Sequence, residues 1–445
     1  MTLTICIWEI RGHLKSPFFF IGMVLMVFLT AYATLIGSND YRQRMNDCLA
    51  ARSSMEVNAI RYYVFREPNP MSIFVQGYDT RAGTTAAIHT NRIPVNTSGY
   101  MDIMGKSQAE RYNTGFLSID YAFVVRLILS ILVIFLVYDV IAGERHRGTL
   151  KLMLANPVPR DTVLLGKLLG GWCVVTALLT VASIVSLILV LINPEVRASI
   201  DVVLRFFGIY AASVLYLTVF FALGLWVSVV INRPSTVLIT LLVVWVTMTV
   251  IYPTLGCLTA ERLVRPPDEK RLQSMMAAAV QPFAKEYDRA FQEWFSLRPN
   301  NPLYNTAHDR AVDLEKKRAQ LIYNIDRTWA DALDRQASLA VMLTLTSPAV
   351  VYDQAVMRFA GTASEDYDRF LEYVRTTWDT MNKANRLLFR DRKESQKILK
   401  SIEPFHPGDT RPNLSKIMLF LGILGFASIL FFALSYIGFL RKDVR

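Results

Sequence analysis

Residues 18–36, 168–193, 206–232, 235–260 and 417–440 contain no Asp, Glu, Lys or Arg and consist mainly of apolar side chains. A helix needs about 20 apolar residues to cross the hydrocarbon core of a bilayer. There the backbone must satisfy its own hydrogen bonds, so runs of this length read as helices. A sixth run, 121–142, holds only Arg126 near one end and Asp139 near the other. Both lie close enough to an interface to snorkel towards it. The expectation is an all-α polytopic membrane protein with six transmembrane helices, at 18–36, 121–142, 163–193, 206–232, 235–260 and 414–440.

Charge sets the orientation. Arg11 and Lys15, then Arg145, Arg147, Lys151, Arg160 and Lys167, then Arg233, and finally Arg441, Lys442 and Arg445 fall on one side. The short loop on the other side balances Glu195 and Asp201 against Arg197 and Arg205. Short loops rich in Lys and Arg stay inside, so both termini are expected in the cytoplasm. The long segments 37–120 and 261–413 are then extracytoplasmic. The net charge of +11 is spent largely on these flanks and among acids in helical patterns, which excludes a nucleic-acid surface. Residues 1–17 form a separate element. Leu3, Ile7, Ile10 and Leu14 make a helical stripe with Trp8 beside it, and Pro17 ends it. This predicts an amphipathic N-terminal helix in the cytoplasmic interface, in contact with membrane lipids.

The outer segments differ from each other. In 261–413, Phe283, Tyr287, Phe291 and Trp294 mark a helix after Pro266-Pro267-Asp268. Ile322, Ile325, Trp329 and Leu333 mark a second, and Phe370, Val374, Trp378, Met381 and Leu388 a third. Thr362-Ala-Ser-Glu365 fits a capping box before the third. A helical extracytoplasmic domain is expected there. In 37–120 a helical start gives way to Arg66-Glu-Pro-Asn-Pro70 and a Gly/Thr-rich part that reads as irregular or β. Cys48 and Cys257 could pair if both lie outside. Asn96-Thr-Ser98 and Asn413-Leu-Ser415 match the glycosylation pattern by chance.

Enzyme chemistry is missing from the sequence. The five His (His13, His89, His146, His308, His406) are scattered, with no HExxH, GxSxG or Cys/His cluster. Gly166-Lys167 has Asp161 and Leu168 where a phosphate-binding loop needs Gly and Ser or Thr. No nucleotide hydrolysis, cofactor or metal is expected in this chain. Charge-free spans also argue against an ion-coupled carrier.

The segment 143–162 carries the functional inference. Its sequence is Gly143-Glu-Arg-His-Arg-Gly-Thr-Leu-Lys-Leu-Met-Leu-Ala-Asn-Pro-Val-Pro-Arg160. It reads as a short cytoplasmic helix bounded by Gly148 and Pro157, with Leu150, Met153 and Leu154 on one face and Glu144, Arg145 and Arg147 at its start. Such a helix can dock into a groove on a soluble protein or lie on lipid headgroups.

Glu144, Gly148-Thr149-Leu150, Leu152, Leu154, Pro157, Arg160 and Gly166-Lys167 resemble the signature of ABC-2 type ABC transporter permeases. Arg66-Glu-Pro-Asn-Pro-Met-Ser-Ile-Phe…Gly77 and Leu345-Thr-Ser-Pro348…Phe359-Ala-Gly-Thr362 look like motifs of a subgroup with a large extracytoplasmic helical insertion before the last span. That subgroup is similar to gliding-motility and copper-site-maturation permeases. The resemblance implies a permease subunit in the bacterial cytoplasmic membrane that exports a substrate or does mechanical work on an extracytoplasmic partner. It implies a cytoplasmic ABC ATPase that binds ATP and Mg, a second permease chain in a homo- or heterodimer, and a periplasmic protein as a further partner. It makes Glu144, Arg145, Arg147, Gly148, Thr149, Leu150, Leu154, Pro157 and Arg160 the residues of ATPase coupling. Two rival readings are a membrane-anchored extracytoplasmic ligand-binding or signalling module and an intramembrane enzyme. The first lacks a cytoplasmic output domain and the second lacks paired catalytic groups in the spans.

Overall fold

A computed structural model describes residues 2–15, 17–54, 61–79, 85–89, 103–104, 119–155, 159–196, 199–298, 301–388, 392–402, 405 and 413–441. Helix α1 (Thr2–Leu14) is followed by α2 (Pro17–Ser54). Pro17 sits at the first position of α2, where its missing N–H costs nothing. The apolar run ends at Ile36, but no Gly or Pro follows Gly37 before Ser54, so the helix continues. Its 38 residues span about 57 Å at 1.5 Å per residue, well beyond a hydrocarbon core of about 30 Å.

The remaining helices are α3 (Tyr121–Phe123), α4 (Ser130–Val137), α5 (Ala142–Arg147), α6 (Thr149–Ala155), α7 (Arg160–Ile192) and α8 (Ile200–Val230). Then come α9 (Pro234–Val246), α10 (Tyr252–Leu263), α11 (Glu269–Ser296), α12 (Tyr304–Thr344), α13 (Pro348–Ala360), α14 (Ser364–Leu388), α15 (Arg392–Lys400) and α16 (Leu414–Arg441). Six stretches are long and apolar enough to cross a membrane: Phe19–Ala50, Tyr121–Arg147, Arg160–Ile192, Ile200–Val230, Pro234–Leu263 and Leu414–Arg441. The chain is an all-α, multi-pass membrane protein. Its core is α8: 72% of its most apolar stretch is buried, against 22% for Pro234–Leu263 and for Leu414–Arg441. Helices α4, α7, α9 and α16 pack directly on it, and α2 joins the bundle through α7.

Two spans are interrupted by π-helical turns, Val124–Leu129 between α3 and α4 and Thr247–Ile251 between α9 and α10. Side chains satisfy backbone carbonyls in both. The Arg126 carbonyl accepts from Tyr216 at 2.8 Å and from Ser130 at 2.5 Å, and the Met248 carbonyl accepts from Ser347 at 2.6 Å. Trp245 Nε1 donates to Ser130 Oγ at 2.8 Å and joins the two spans. Arg126 does not snorkel. It turns inward and pairs with Asp353 of α13. A hydrophobic surround would otherwise leave either charge alone, so each is the other's reason for being buried.

Beyond the spans, α11 and α12 form a long antiparallel hairpin. Ile322 and Trp329 of α12 pack on Leu272 and Met276 of α11, and Trp329 Nε1 donates to the Pro267 carbonyl at 2.8 Å. Asp268 caps α11 by accepting from the Arg271 N–H. A three-stranded antiparallel sheet in the order β1 (Arg61–Phe65), β2 (Thr85–His89), β3 (Ile103–Met104) lies beside α14. Val64 packs on Phe370, Val374 and Met381. The expected capping box does not form. Glu365 is drawn to Arg358 and Lys416, at 2.9 and 2.7 Å, and Asp366 instead accepts from the Ala363 N–H at 3.1 Å.

Cys48 and Cys257 are free thiols, not a disulfide: Cys48 is buried with its Sγ on the Arg66 carbonyl, and Cys257 is exposed. Asn413 caps α16, with Ser415 donating to its side chain at 2.8 Å. Asn96-Thr-Ser98 and His406 lie outside the described residues.

Candidate coupling site

Helix α5 ends at Gly148, which has φ 78°, the left-handed conformation that only glycine adopts without strain. The chain leaves in a new direction as α6. The segment is therefore two short helices rather than one. Glu144, Arg145 and Arg147 sit on α5, before the break, and not at the start of the helix that carries Leu150 and Met153.

Each of these residues has a partner within the bundle. Arg145 donates to Asn232 Oδ1 at 3.0 Å and to the Val229 carbonyl at 3.3 Å, at the α8–α9 turn. Arg147 pairs with Asp139 at 3.0 Å. Thr149 Oγ1 donates to the Glu144 carbonyl at 3.2 Å and fastens α6 to α5. Arg160 donates to the Leu440 carbonyl at 3.1 Å, near the end of α16. All these contacts lie at one end of the bundle, with α1. At the other end Asn193 donates to Ser38 at 2.6 Å and Arg42 pairs with Glu195 at 3.0 Å.

The apolar residues divide. Leu150 is fully buried against the bundle, whereas Leu152 is 72% exposed. Among the described side chains of α6, the large apolar one that faces outward is thus Leu152. The Leu154 side chain and Pro157 lie outside the described residues.

The centre of the site is Lys167 on α7. Its side chain is 1% exposed, and Nζ donates to Glu144 Oε1 at 2.7 Å and to Glu9 Oε2 of α1 at 3.1 Å. His13 lies 3.7 Å from the other Glu9 oxygen. Burial alone would raise the Glu9 carboxyl. The His13 hydrogen bond and the Lys167 ammonium outweigh it and hold the carboxyl below its usual value. Glycines let α1 come this close. A Cβ on Gly166 would sit 2.8 Å from Ile5, and one on Gly170 would sit 2.7 Å from the Glu9 side chain.

A cleft of about 480 Å³ opens between α1 and the α4–α6 segment, lined by Trp8, Glu9, His13, Asp139, Glu144 and Met153 among others. Trp8 is 75% exposed. Among the described residues no group of three His, Cys, Asp or Glu could hold a metal ion. The arrangement is suited to binding and positioning. Sequence reasoning placed Lys167 among the flanking cations and passed over Glu9. The available signal was a single carboxylate inside an otherwise uncharged Thr2–Ile10 stretch.

The family described as ABC-2 family transporter protein matches residues 3–444. The chain belongs to that family. The match begins inside α1 and ends past α16, so the Glu9–Lys167–Glu144 cluster and all six spans of this ABC-2 family protein fall within it. The chain is also similar to the probable ABC transporter permease protein NosY of Pseudomonas aeruginosa. The two are 38% identical over 99 residues, which are 22% of this chain and 35% of the relative. The matched part is thus about a third of that curated relative's length.

Proposed function

We propose that this ABC-2 family protein is the membrane-spanning permease subunit of an ABC transporter and borrows its ATPase from a separate cytoplasmic chain. The name of the NosY relative supports the permease reading. The observation that carries the docking surface is the pair of outward apolar side chains, Leu152 on α6 and Trp8 on α1, beside the cleft at the basic end of the bundle. Exposed apolar groups among charges suit a soluble partner. In this reading both termini are cytoplasmic in a bacterial inner membrane, and two permease chains pair through their spans. ATP and Mg bind in the partner. Closure of two ATPases pushes α6, and the spans pass the motion to the outer helices. The work is export of a substrate or displacement of an extracytoplasmic partner by those helices.

The test is purification in mild detergent from native membranes, followed by mass spectrometry of what accompanies the chain. A stoichiometric soluble protein with a phosphate-binding loop is expected. Its absence, with ATP analogue and crosslinker present, would replace this reading with an extracytoplasmic ligand-binding module.

A further inference from the structure

We infer that Lys167 is the positioning residue through which movement of the docking segment enters the membrane, by holding α1, α5 and α7 as one body. The inference rests on the docking reading above and goes beyond it by naming the transmitting contact. Lys167 is too buried to touch a soluble partner, so any effect it has on a partner passes through Glu144 and Glu9.

In sequence α6 ends at Ala155, and α7 begins at Arg160 with Pro159 as its N-cap. The ion cluster bypasses the stretch between them. Glu144 stands one turn before the Gly148 break, and the Thr149 hydroxyl bonded to the Glu144 carbonyl ties α6 to it. A push on α6 therefore reaches α5, and the Glu144–Lys167 contact of 2.7 Å delivers it to α7. The Lys167–Glu9 contact of 3.1 Å carries α1 along, seated on Gly166 and Gly170.

The cluster holds two carboxylates against one ammonium, and Glu144 Oε2 is buried with no hydrogen-bond partner. Removing the ammonium leaves both carboxylates in a poorly solvated site, where they repel each other and α1 separates from α5. A buried pair of this kind contributes more to fixing one geometry than to net stability.

The experiment uses the full-length permease with its ATPase, reconstituted in lipid nanodiscs. Two quantities are read: the ATPase-to-permease ratio, and the ATP hydrolysis rate relative to the isolated ATPase. Lys167→Met is expected to keep the ratio and to lower the stimulation roughly three- to thirtyfold. Lys167→Arg, which keeps the charge, is expected to restore most of it. If Lys167→Met is not recovered from membranes, Lys167→Gln, uncharged but still polar, is read the same way. Wild-type stimulation in the uncharged variants overturns the inference, as does a loss of stimulation that merely follows loss of bound ATPase. If the wild-type chain itself retains no ATPase, the docking reading falls and this inference falls with it.

Discussion

The side-chain amide of Asn69 donates to the carbonyls of Ala360 and Gly361, at 2.9 and 3.0 Å, across more than 290 residues of chain. Its oxygen accepts from the Met71 N–H at 2.9 Å and caps the short 3₁₀ turn Pro70–Ile73. Gly361 has φ 68° and ends α13, while the Tyr78 N–H donates to the Thr362 carbonyl at 2.8 Å. The 66–77 and 345–362 motifs are thus the two halves of one joint. Asp79 pins it to α2 by pairing with Arg44 at 2.7 Å and with Arg66.

Breaking this joint should loosen the outer region without unfolding the spans. Asn69→Ala strands two carbonyls and removes a cap, at a cost of about 2 kcal/mol. Amide exchange at Tyr78 should accelerate while that of α8 stays unchanged. Equal acceleration in both would show that the joint has no local character.

The Arg126–Asp353 pair predicts strong non-additivity. Asp353→Ala leaves a partly buried guanidinium without its carboxylate and should cost up to about 3–5 kcal/mol. The double change Arg126→Met with Asp353→Leu should recover most of that loss. Thermal inactivation of the four proteins of the cycle, in one detergent, gives the coupling energy. A double variant as unstable as Asp353→Ala would mean that packing of α13 and not the charge pair governs the site.

Acid should release α1. The Glu9 carboxyl is held below its usual value of about 4.5 by His13 and Lys167. A carboxylate depressed in the folded state contributes stability above its unfolded pKa and loses it as pH falls through the folded one. The contact is then complete at neutral pH, and its contribution fades as pH falls from about 4.5 through the lower folded value. Amide exchange across Thr2–Leu14, corrected for its intrinsic pH dependence, should rise there. Glu9→Gln should flatten the response.

Two glycines of the site should respond differently to substitution. Gly148 has open space where a Cβ would go, so Gly148→Ala carries only the backbone cost of a left-handed residue, about 1–2 kcal/mol. Gly166→Val collides with Ile5 and should displace α1. Tryptophan fluorescence of Trp8, with the other tryptophans replaced, should shift for Gly166→Val and stay fixed for Gly148→Ala.

The spans were legible because a bilayer demands long apolar helices, a constraint carried by single stretches such as 206–232. The helical hairpin was legible for the same reason, since Ile322 and Trp329 repeat at helical spacing within one segment. The local structure of 143–155 was legible only in part. Helical spacing separates Leu150 from Leu152, but it does not announce the left-handed break at Gly148 that leaves Glu144, Arg145 and Arg147 on a separate helix. Contacts between distant segments left weaker traces. Nothing near Arg126 announces Asp353, and the 66–79 and 345–362 motifs read as unrelated until Asn69 joins them. Ion pairs made across several hundred residues depend on tertiary geometry that no local periodicity encodes.

The hairpin of α11 and α12 is rooted at its base. Tyr252 donates to the Leu343 carbonyl at 2.6 Å and Gln336 to the Val264 carbonyl at 3.0 Å. From that root the 28 residues of α11 extend about 42 Å. Such a rod is an amplifier. A tilt of about 10° where α10 leaves the bilayer would sweep its far end, with Phe295 and Leu303 exposed, through about 7 Å. A small change in the direction of the fifth span thus becomes, at the tip, a displacement larger than the roughly 5.4 Å pitch of one helical turn.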